Sequence, residues 1–301
     1  MDNTISLVQN RYYNSSYNDI INKNQGLFRN FRDLNFFYLY NRPNIKDDYG
    51  QIKIQINESI SNFKWDRNFL DNINKAKNQM INRFKESGFL VEKVELKLLW
   101  RLVVGLGASH PQETSMTLHH IFGIPYIPGS AVKGVTRHWA VLLFVDKNEQ
   151  AIFKIYQKEK FEDLVEFVDK SLEQGKDLNI SVNNISFQDL IEIFGTQEQQ
   201  GKVIFFDAFP QENIHLKIDI MNPHYPDYYS GEKPKPPTDW QNPVPIKFLT
   251  VENTKFQFYL AAKEKDNSNN DLIKKAKSLL EEALKNHGVG AKTALGYGIF
   301  Q

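Results

Sequence analysis

Two segments of the chain carry the residue types from which an anion site is built. The first is Pro125-Tyr126-Ile127-Pro128-Gly129-Ser130-Ala131-Val132-Lys133-Gly134-Val135-Thr136-Arg137. Its apolar spacing after Pro-Gly-Ser predicts a helix from Ser130 to about Phe144, with Ser130 as N-cap. The first-turn N–H groups of such a helix lack intrahelical partners, and its dipole favours an anion there. Lys133 and Arg137 would stack on one face and supply fixed positive charge. A solvated basic helix face is the plainer alternative. The second segment is Gly288-Val289-Gly290-Ala291-Lys292-Thr293-Ala294-Leu295-Gly296-Tyr297-Gly298. Its glycines allow close approach to a phosphate, and consecutive free N–H groups form an anion-binding nest. It is not a P-loop, because Lys292-Thr293 follows Ala291 and not a glycine. It is not a dinucleotide fingerprint either, since it follows a helix. Spacing alone suits a tight helix-to-strand turn equally well.

Histidines form a third group. His110, Glu113, His119 and His120 lie between Gly105-Leu106-Gly107 and the Pro-Gly-Ser helix. Histidine with a carboxylate could bind metal or cleave RNA by acid–base chemistry. No H-E-x-x-H spacing exists, however, and adjacent histidines on an extended chain face opposite ways. Structural or RNA-stacking roles fit them better than catalysis. Asp219, His224, Asp227 and Asp239 sit in Pro/Tyr-rich surroundings that read as a binding loop. No catalytic residue, metal or cofactor is therefore assigned, and no nuclease activity is expected.

The elements that must position these groups can be read from periodicity. A helix over about Trp65–Glu86 follows from Trp65, Phe69, Ile73, Ala76, Met80 and Phe84, with Gly88 beyond its end. Val94, Leu96, Leu98, Trp100, Leu102 and Val104 alternate with polar residues, as a half-buried strand does. Ala151–Glu173 and Phe187–Phe194 read as helices separated by a polar stretch. Val203–Phe206 and Leu216–Ile220 read as strands, as do Ile246–Val251 and Phe256–Ala261, with a turn at Glu252-Asn253. Asp271–Asn286 is an amphipathic helix. Met1 to about Gln25 reads as a tail. Asn222–Pro245 is too long for an ordinary connection. Its Tyr225, Tyr228, Tyr229 and Trp240 offer faces for base stacking. Helices and strands mix without βα repetition, which predicts an α+β fold.

Composition narrows the field. The chain has 301 residues, no cysteine, and 37 basic against 36 acidic side chains, a net charge of +1. Disulfides, thiolate metal sites and cysteine nucleophiles are excluded. A stand-alone electrostatic nucleic-acid binder is disfavoured, so any RNA site must be a local patch or a groove shared with neighbours. No apolar run approaches the about 18 residues of a membrane helix, and Met1–Asn10 lacks a signal-peptide core. A cytoplasmic protein is expected.

Together, Gly105-Leu106-Gly107, Pro125–Arg137, Ile193-Phe194-Gly195-Thr196-Gln197, Phe206-Asp207-Ala208-Phe209-Pro210 and Gly288–Phe300 resemble the RAMP superfamily of CRISPR proteins. Ile218–Tyr229 and Pro237-Thr238-Asp239-Trp240 narrow the resemblance to sixth subunits of the Cmr (type III-B) effector complex. It covers about Val94 to Gln301. It implies a ferredoxin-like (RRM-like) core over about 89–301, with a helical insertion near 146–200 and a thumb-like loop near 222–245. Residues 1–88 would be a tail and helical extension. It further implies a non-catalytic subunit that binds CRISPR RNA toward its 3′ part, beside single-stranded target RNA and other backbone and small Cmr subunits. The RNA contacts would come from Gly129, Ser130, Lys133, Arg137, Gly288, Gly290, Lys292, Thr293, Gly296 and Gly298. Ala131 stands where the commonest motif has a second serine. Glu113 falls near the position where target-cleaving relatives carry an aspartate. Two other classes compete: a RAMP endoribonuclease that matures CRISPR RNA or cuts target RNA, and a small-molecule phosphate or nucleotide enzyme using both glycine loops.

Overall fold

Helix α1 (Phe36–Tyr40) and helix α2 (Arg67–Glu86) precede strands β1 (Phe89–Lys97) and β2 (Arg101–Leu102). Helices α3 (Gly129–Tyr156) and α4 (Phe161–Gln174), strands β3 (Ser181–Val182) and β4 (Ile185–Ser186), and helix α5 (Phe187–Phe194) follow. Strands β5 (Val203–Phe205), β6 (Phe209–Pro210), β7 (His215–Met221), β8 (Ile246–Glu252) and β9 (Lys255–Lys263) lead to helix α6 (Asn267–Glu282). A π-helical turn (Ala283–His287) and a 3-10 turn (Thr293–Leu295) close the series. The structure is a computed structural model, and it describes residues 36–40, 61–108, 110, 114–157, 160–222, 236, 245–263 and 267–301. The expected tail Met1–Gln25 lies outside them, as do Glu113, His224, Tyr225, Asp227, Tyr228, Tyr229, Asp239 and Trp240. Helices and antiparallel strands alternate irregularly, so the class is α+β, as expected. Among the described residues no helix is long and apolar enough to cross a membrane.

The chain divides into two compact units, one of residues 1–66, 103–125 and 214–252, the other of residues 67–102, 126–213 and 253–301. In the larger unit, β9 is the central strand because both its faces are apolar. Phe256, Phe258, Leu260, Ala261 and Ala262 are all buried. It pairs antiparallel with β1 from Phe89↔Lys263 to Lys97↔Lys255, and on its other edge with β5 and β6. Strands β5 and β6 are one strand interrupted at Phe206–Ala208, where Ala208 leaves β9 and exchanges hydrogen bonds with Ile127 (2.8 and 2.9 Å).

Several expectations need correction here. The helix α2 has the expected period but not the expected face. Leu70, Ile73, Lys77 and Ile81 are buried, while Phe69 (37 %) and Met80 (39 %) are exposed. The single helix expected over Ala151–Glu173 is two. Asn148 leaves helical geometry inside α3, its side-chain amide donating to the Phe144 carbonyl (3.1 Å), and Gln157 ends α3 in the left-handed region. The polar stretch after α4 holds the β3–β4 hairpin. Asn183 and Asn184, both at positive φ, make the turn that a two-residue loop requires. The turn at Glu252-Asn253 forms as expected, with Asn253 at φ +47°, and it joins strands of different sheets, because β8 pairs with β7 and β9 with β1.

The alternation read through Val104 also breaks early. Lys97 and Gln301 exchange both backbone hydrogen bonds, and the Leu99 N–H donates to the Ile299 carbonyl. The next bond runs from the Gly298 N–H to the Arg101 carbonyl (2.6 Å). One residue on the C-terminal segment therefore faces two on the other strand. This is a bulge, and it shifts the phase of alternation at Trp100. Leu98 is buried as expected, but Leu99 (57 %) and Trp100 (44 %) are exposed.

In the smaller unit, β7 and β8 pair from His215↔Glu252 to Met221↔Ile246. On the short helix α1, Phe36 packs against Phe63 and Trp65 and stacks with Tyr40, whose hydroxyl donates to the Thr114 carbonyl (2.8 Å).

Candidate nucleic-acid interface

The Pro-Gly-Ser helix forms, but its start is organised differently from the expectation. The N-cap is Pro128, whose carbonyl accepts from the Ala131 and Val132 N–H groups (2.8 and 3.0 Å). Ser130 is the second helical residue, exposed, and caps nothing. Gly129 is buried because the Phe205 carbonyl lies where a Cβ would stand. Its N–H donates to the Asp207 carboxylate (2.6 Å). The break between β5 and β6 is what turns Asp207 toward α3, so the chain places its own anion on the first N–H of the helix.

The two cations also separate in role. Arg137 ion-pairs with Asp169 of α4 and lies 3.7 Å from Glu173, so it ties two helices together. Lys133 is half-buried. Burial, and next the Arg137 guanidinium, hold its ammonium below the ordinary lysine range. It makes no ion pair among the described residues.

The glycine loop is pinned at its base and open at its tip. Val289 donates to the Gly298 carbonyl (3.0 Å), and Gly298, at φ +70°, sits so close to Val289 that a Cβ would drive into its carbonyl oxygen. Farther out, Lys292 adopts φ +63° and starts the 3-10 turn, which Leu295 and Gly296 close by donating to Lys292 and Thr293 (both 2.9 Å). The N–H groups of Gly290, Ala291, Thr293 and Ala294 donate to no backbone carbonyl among the described residues. Gly290, Ala294 and Leu295 are exposed. Such a run of N–H groups without backbone acceptors suits a phosphate oxygen. The same unit brings helix and loop together. The His138 ring on α3 lies 5.1 Å from that of His287, the residue before Gly288.

His110, His119 and His120 are engaged in local contacts. His110 stacks on Tyr40 (4.5 Å), and burial holds its imidazole below the usual range. His119 and His120 do not face opposite ways as an extended chain would have them. Their rings stack 5.2 Å apart, because the segment is a turn in which Gly123 donates to the His119 carbonyl (2.6 Å). The His119 Nδ1 accepts from the Phe122 N–H (3.3 Å), and the two rings stack. The Asp219 carboxylate accepts from the Ile220 N–H. Among the described residues no three His, Cys, Asp or Glu side chains are grouped to hold a metal ion.

Reading the sequence missed the contacts of Asp207 at the helix start and of His138 with His287 where helix and loop meet. The RAMP superfamily sequence model matches residues 95–301, which include both anion-directed segments. The chain belongs to the RAMP superfamily. This RAMP chain is 41 % identical over 222 residues to the CRISPR system Cmr subunit Cmr6 of Pyrococcus furiosus. That match takes in 66 % of the chain and 64 % of the relative, so the chain spans less than two thirds of it. It is 24 % identical over 270 residues to the CRISPR system CMR subunit Cmr6 of Saccharolobus solfataricus, covering 85 % of the chain and 73 % of that protein. Its fold resembles a chain in the cryo-EM structure of the Type III-B Cmr-beta bound to cognate target RNA. There the TM-score is 0.54 at 20 % identity, over 99 % of this chain and 88 % of that one.

Proposed function

We propose that this RAMP chain is a non-catalytic backbone subunit of a cytoplasmic type III-B (Cmr) RNA-guided interference complex in antiviral defence, holding CRISPR RNA toward its 3′ part. Its partners are the guide, single-stranded target RNA and the other Cmr subunits. The observation that carries the reading is the exposed tip of the glycine loop, whose base meets α3 where His287 lies against His138, in a chain 41 % identical over 222 residues to a Cmr6 protein. A ferredoxin-like core agrees with the order of elements. The C-terminal segment at Phe300 bridges Leu98 at the end of β1, β1 pairs with β9, and β9 pairs with β5. The positions of α3 after β1 and α6 after β9 support reading it as a split β-α-β arrangement repeated once.

On this reading the RNA backbone runs from Ser130 and Lys133 to Gly290, Lys292, Thr293 and Gly296, with Arg137 holding the helix that presents Lys133 and with Gly129, Gly288 and Gly298 shaping the backbone beneath. Such contacts read ribose-phosphate and not bases, so binding is indifferent to guide sequence. The non-catalytic part is supported by the engagement of His110 and His119 in stacking and turn contacts. The test is RNA affinity across a salt series together with an assay for cleavage. Each neutralised phosphate on a single strand contributes about −0.7 to the slope of log K against log salt, so Lys133→Ala should flatten the slope by roughly that amount. Arg137→Ala should change it less. An unchanged slope in Lys133→Ala would remove the lysine from the surface. RNA cleavage lost on Glu113→Ala or His119→Ala would favour the endoribonuclease reading.

A further inference from the structure

Helices α2 and α6 cover opposite faces of the β1–β9 pair. Side chains alternate along β1, so Lys277 of α6 donates to Glu92 (2.9 Å) while α2 lies over Lys93 and Glu95. Register places Lys93 beside Tyr259, and sets Gln257 between Glu95 and Phe209. The face beneath α2 is therefore polar and aromatic, where the opposite one, with Phe256 and Phe258 against Phe300, is apolar. Helix α2 meets that polar face with Asn74, Lys77 and Asn78, neighbours on one side of the helix. Asn74 donates to the Gln211 carbonyl (2.9 Å), and Asn78 accepts from the Tyr259 hydroxyl (3.0 Å).

Lys77, between them, is 7 % exposed, and its buried Nζ has no hydrogen bond or ion pair among the described residues. It lies 5.5 Å from the centroid of the Phe209 ring and 5.3 Å from that of Tyr259. The nearby carboxylate is engaged elsewhere. Glu95 ion-pairs with Lys93 and with Lys255 (3.3 Å), and accepts from Gln211 (2.6 Å) and Gln257 (3.0 Å). Ring faces offset only part of the cost of burying an unpaired ammonium. From this seat we propose that α2 is a proton-controlled latch on the polar face of the sheet, tight when Lys77 is neutral and loosened when Lys77 takes up a proton. Burial, and next the Lys93 charge, hold the amine down to about 7 against the pull of Glu95. Opening α2 returns Lys77 to water, where its ordinary value is 10.5. Between those values the open form carries one proton more than the closed form, so closure strengthens as pH rises. Below about pH 7 both forms are charged and the dependence ends. Glu95, held down to about 2 chiefly by Lys93, stays charged over this range. Tyr259, raised above its ordinary 10.0 by burial and then by Glu95, keeps its proton up to about pH 9.

The test is amide hydrogen exchange read by mass spectrometry on the full chain from about pH 6 to about pH 9, with rates corrected for the intrinsic effect of pH. Protection of the α2 amides should rise about tenfold per pH unit above about pH 7 and level off below it. Amides of α6, on the other face, should change by less. Lys77→Met, which keeps a stem on the two rings and binds no proton, should raise α2 protection at about pH 7 and remove its pH dependence. Lys77→Arg, charged across the range, should lower α2 protection at about pH 9 and also flatten the profile. A flat wild-type profile, a slope that survives in Lys77→Met, or an equal rise in α2 and α6 would overturn the latch. If Lys77→Arg does not fold, the wild type and Lys77→Met decide. No RNA enters the measurement, so its outcome is independent of the RNA-binding reading above.

Discussion

The helix start at Gly129 and the glycine loop at Gly288–Gly298 read alike in the sequence, as glycine-rich segments with a nearby cation, yet the fold uses them in opposite ways. At the helix start, polar groups are turned inward. Asp207 takes the Gly129 N–H, and Arg137 takes Asp169 of the neighbouring helix. At the loop, Val289 and Gly298 close the base and a 3-10 turn orders the tip, yet the N–H groups of Gly290, Ala291, Thr293 and Ala294 donate to no backbone carbonyl among the described residues. The lesson is that a helix N-terminus offers an anion site only to the extent that the rest of the chain has not filled it. The break between β5 and β6 decides that here.

The sharpest way to break this comparison is to make one glycine-to-alanine change on each side. In the loop, Gly298 sits at φ +70° with the Val289 carbonyl in the way of a Cβ. Gly298→Ala should cost about 3 kcal/mol, from left-handed strain and displaced backbone together. That lowers Tm by roughly 6–12 °C in a chain of this size. On the helix, Gly134 is exposed with open space at its Cβ position. There the same change should stabilise by about 0.5–1 kcal/mol, since alanine restricts the unfolded chain and favours helix. Equal melting temperatures for the two variants would mean that the loop is not pinned as described.

How far the residues alone revealed this arrangement differs from element to element. The period of α2 was legible, but its phase was not. Its apolar residues form two stripes, and the buried one includes Lys77 (7 % exposed), whose ammonium lies over the rings of Phe209 (5.5 Å) and Tyr259 (5.3 Å). Burial pushes that lysine down to about 7. A long stem on aromatic rings can replace an aliphatic residue, and no local pattern marks it. The alternation of β1 was legible to Leu98. The bulge beyond it depends on register with Gly298–Gln301, some two hundred positions away, which local spacing cannot carry. Both anion-directed segments were found by composition. Asp207 was not, because its role arises from a strand break that becomes visible only when β5 and β6 are laid against β9.

Asp207→Ala tests the inward side directly. Loss of an acceptor at a helix N-terminus costs about 1–2 kcal/mol, so a moderate fall in Tm is expected. RNA affinity should stay within about twofold, because the Gly129 N–H is buried beneath the strand break. Binding that tightened several-fold would show instead that the carboxylate masks an anion site. The contrast between helix start and loop would then be one of occupancy and not of design. Asp207→Asn, which keeps an acceptor oxygen, should retain most of the stability.

The smallest effect is expected where the two regions touch. His287 sits below its ordinary 6.5, first because burial disfavours the imidazolium and then because His138 stands 5.1 Å away. As pH falls, the unfolded chain therefore takes up this proton before the folded chain does. Stability contributed by a neutral His287 is complete above about pH 6.5 and is lost as pH falls through the lowered folded value. Melting curves between about pH 7 and pH 5 should show a decline that His287→Phe reduces, since phenylalanine keeps a ring against His138 without a proton to bind. Salt dependence of RNA binding at pH 7 should not change in this variant. A decline of the same steepness in His287→Phe would move the titrating group elsewhere and leave the junction of helix and loop insensitive to pH.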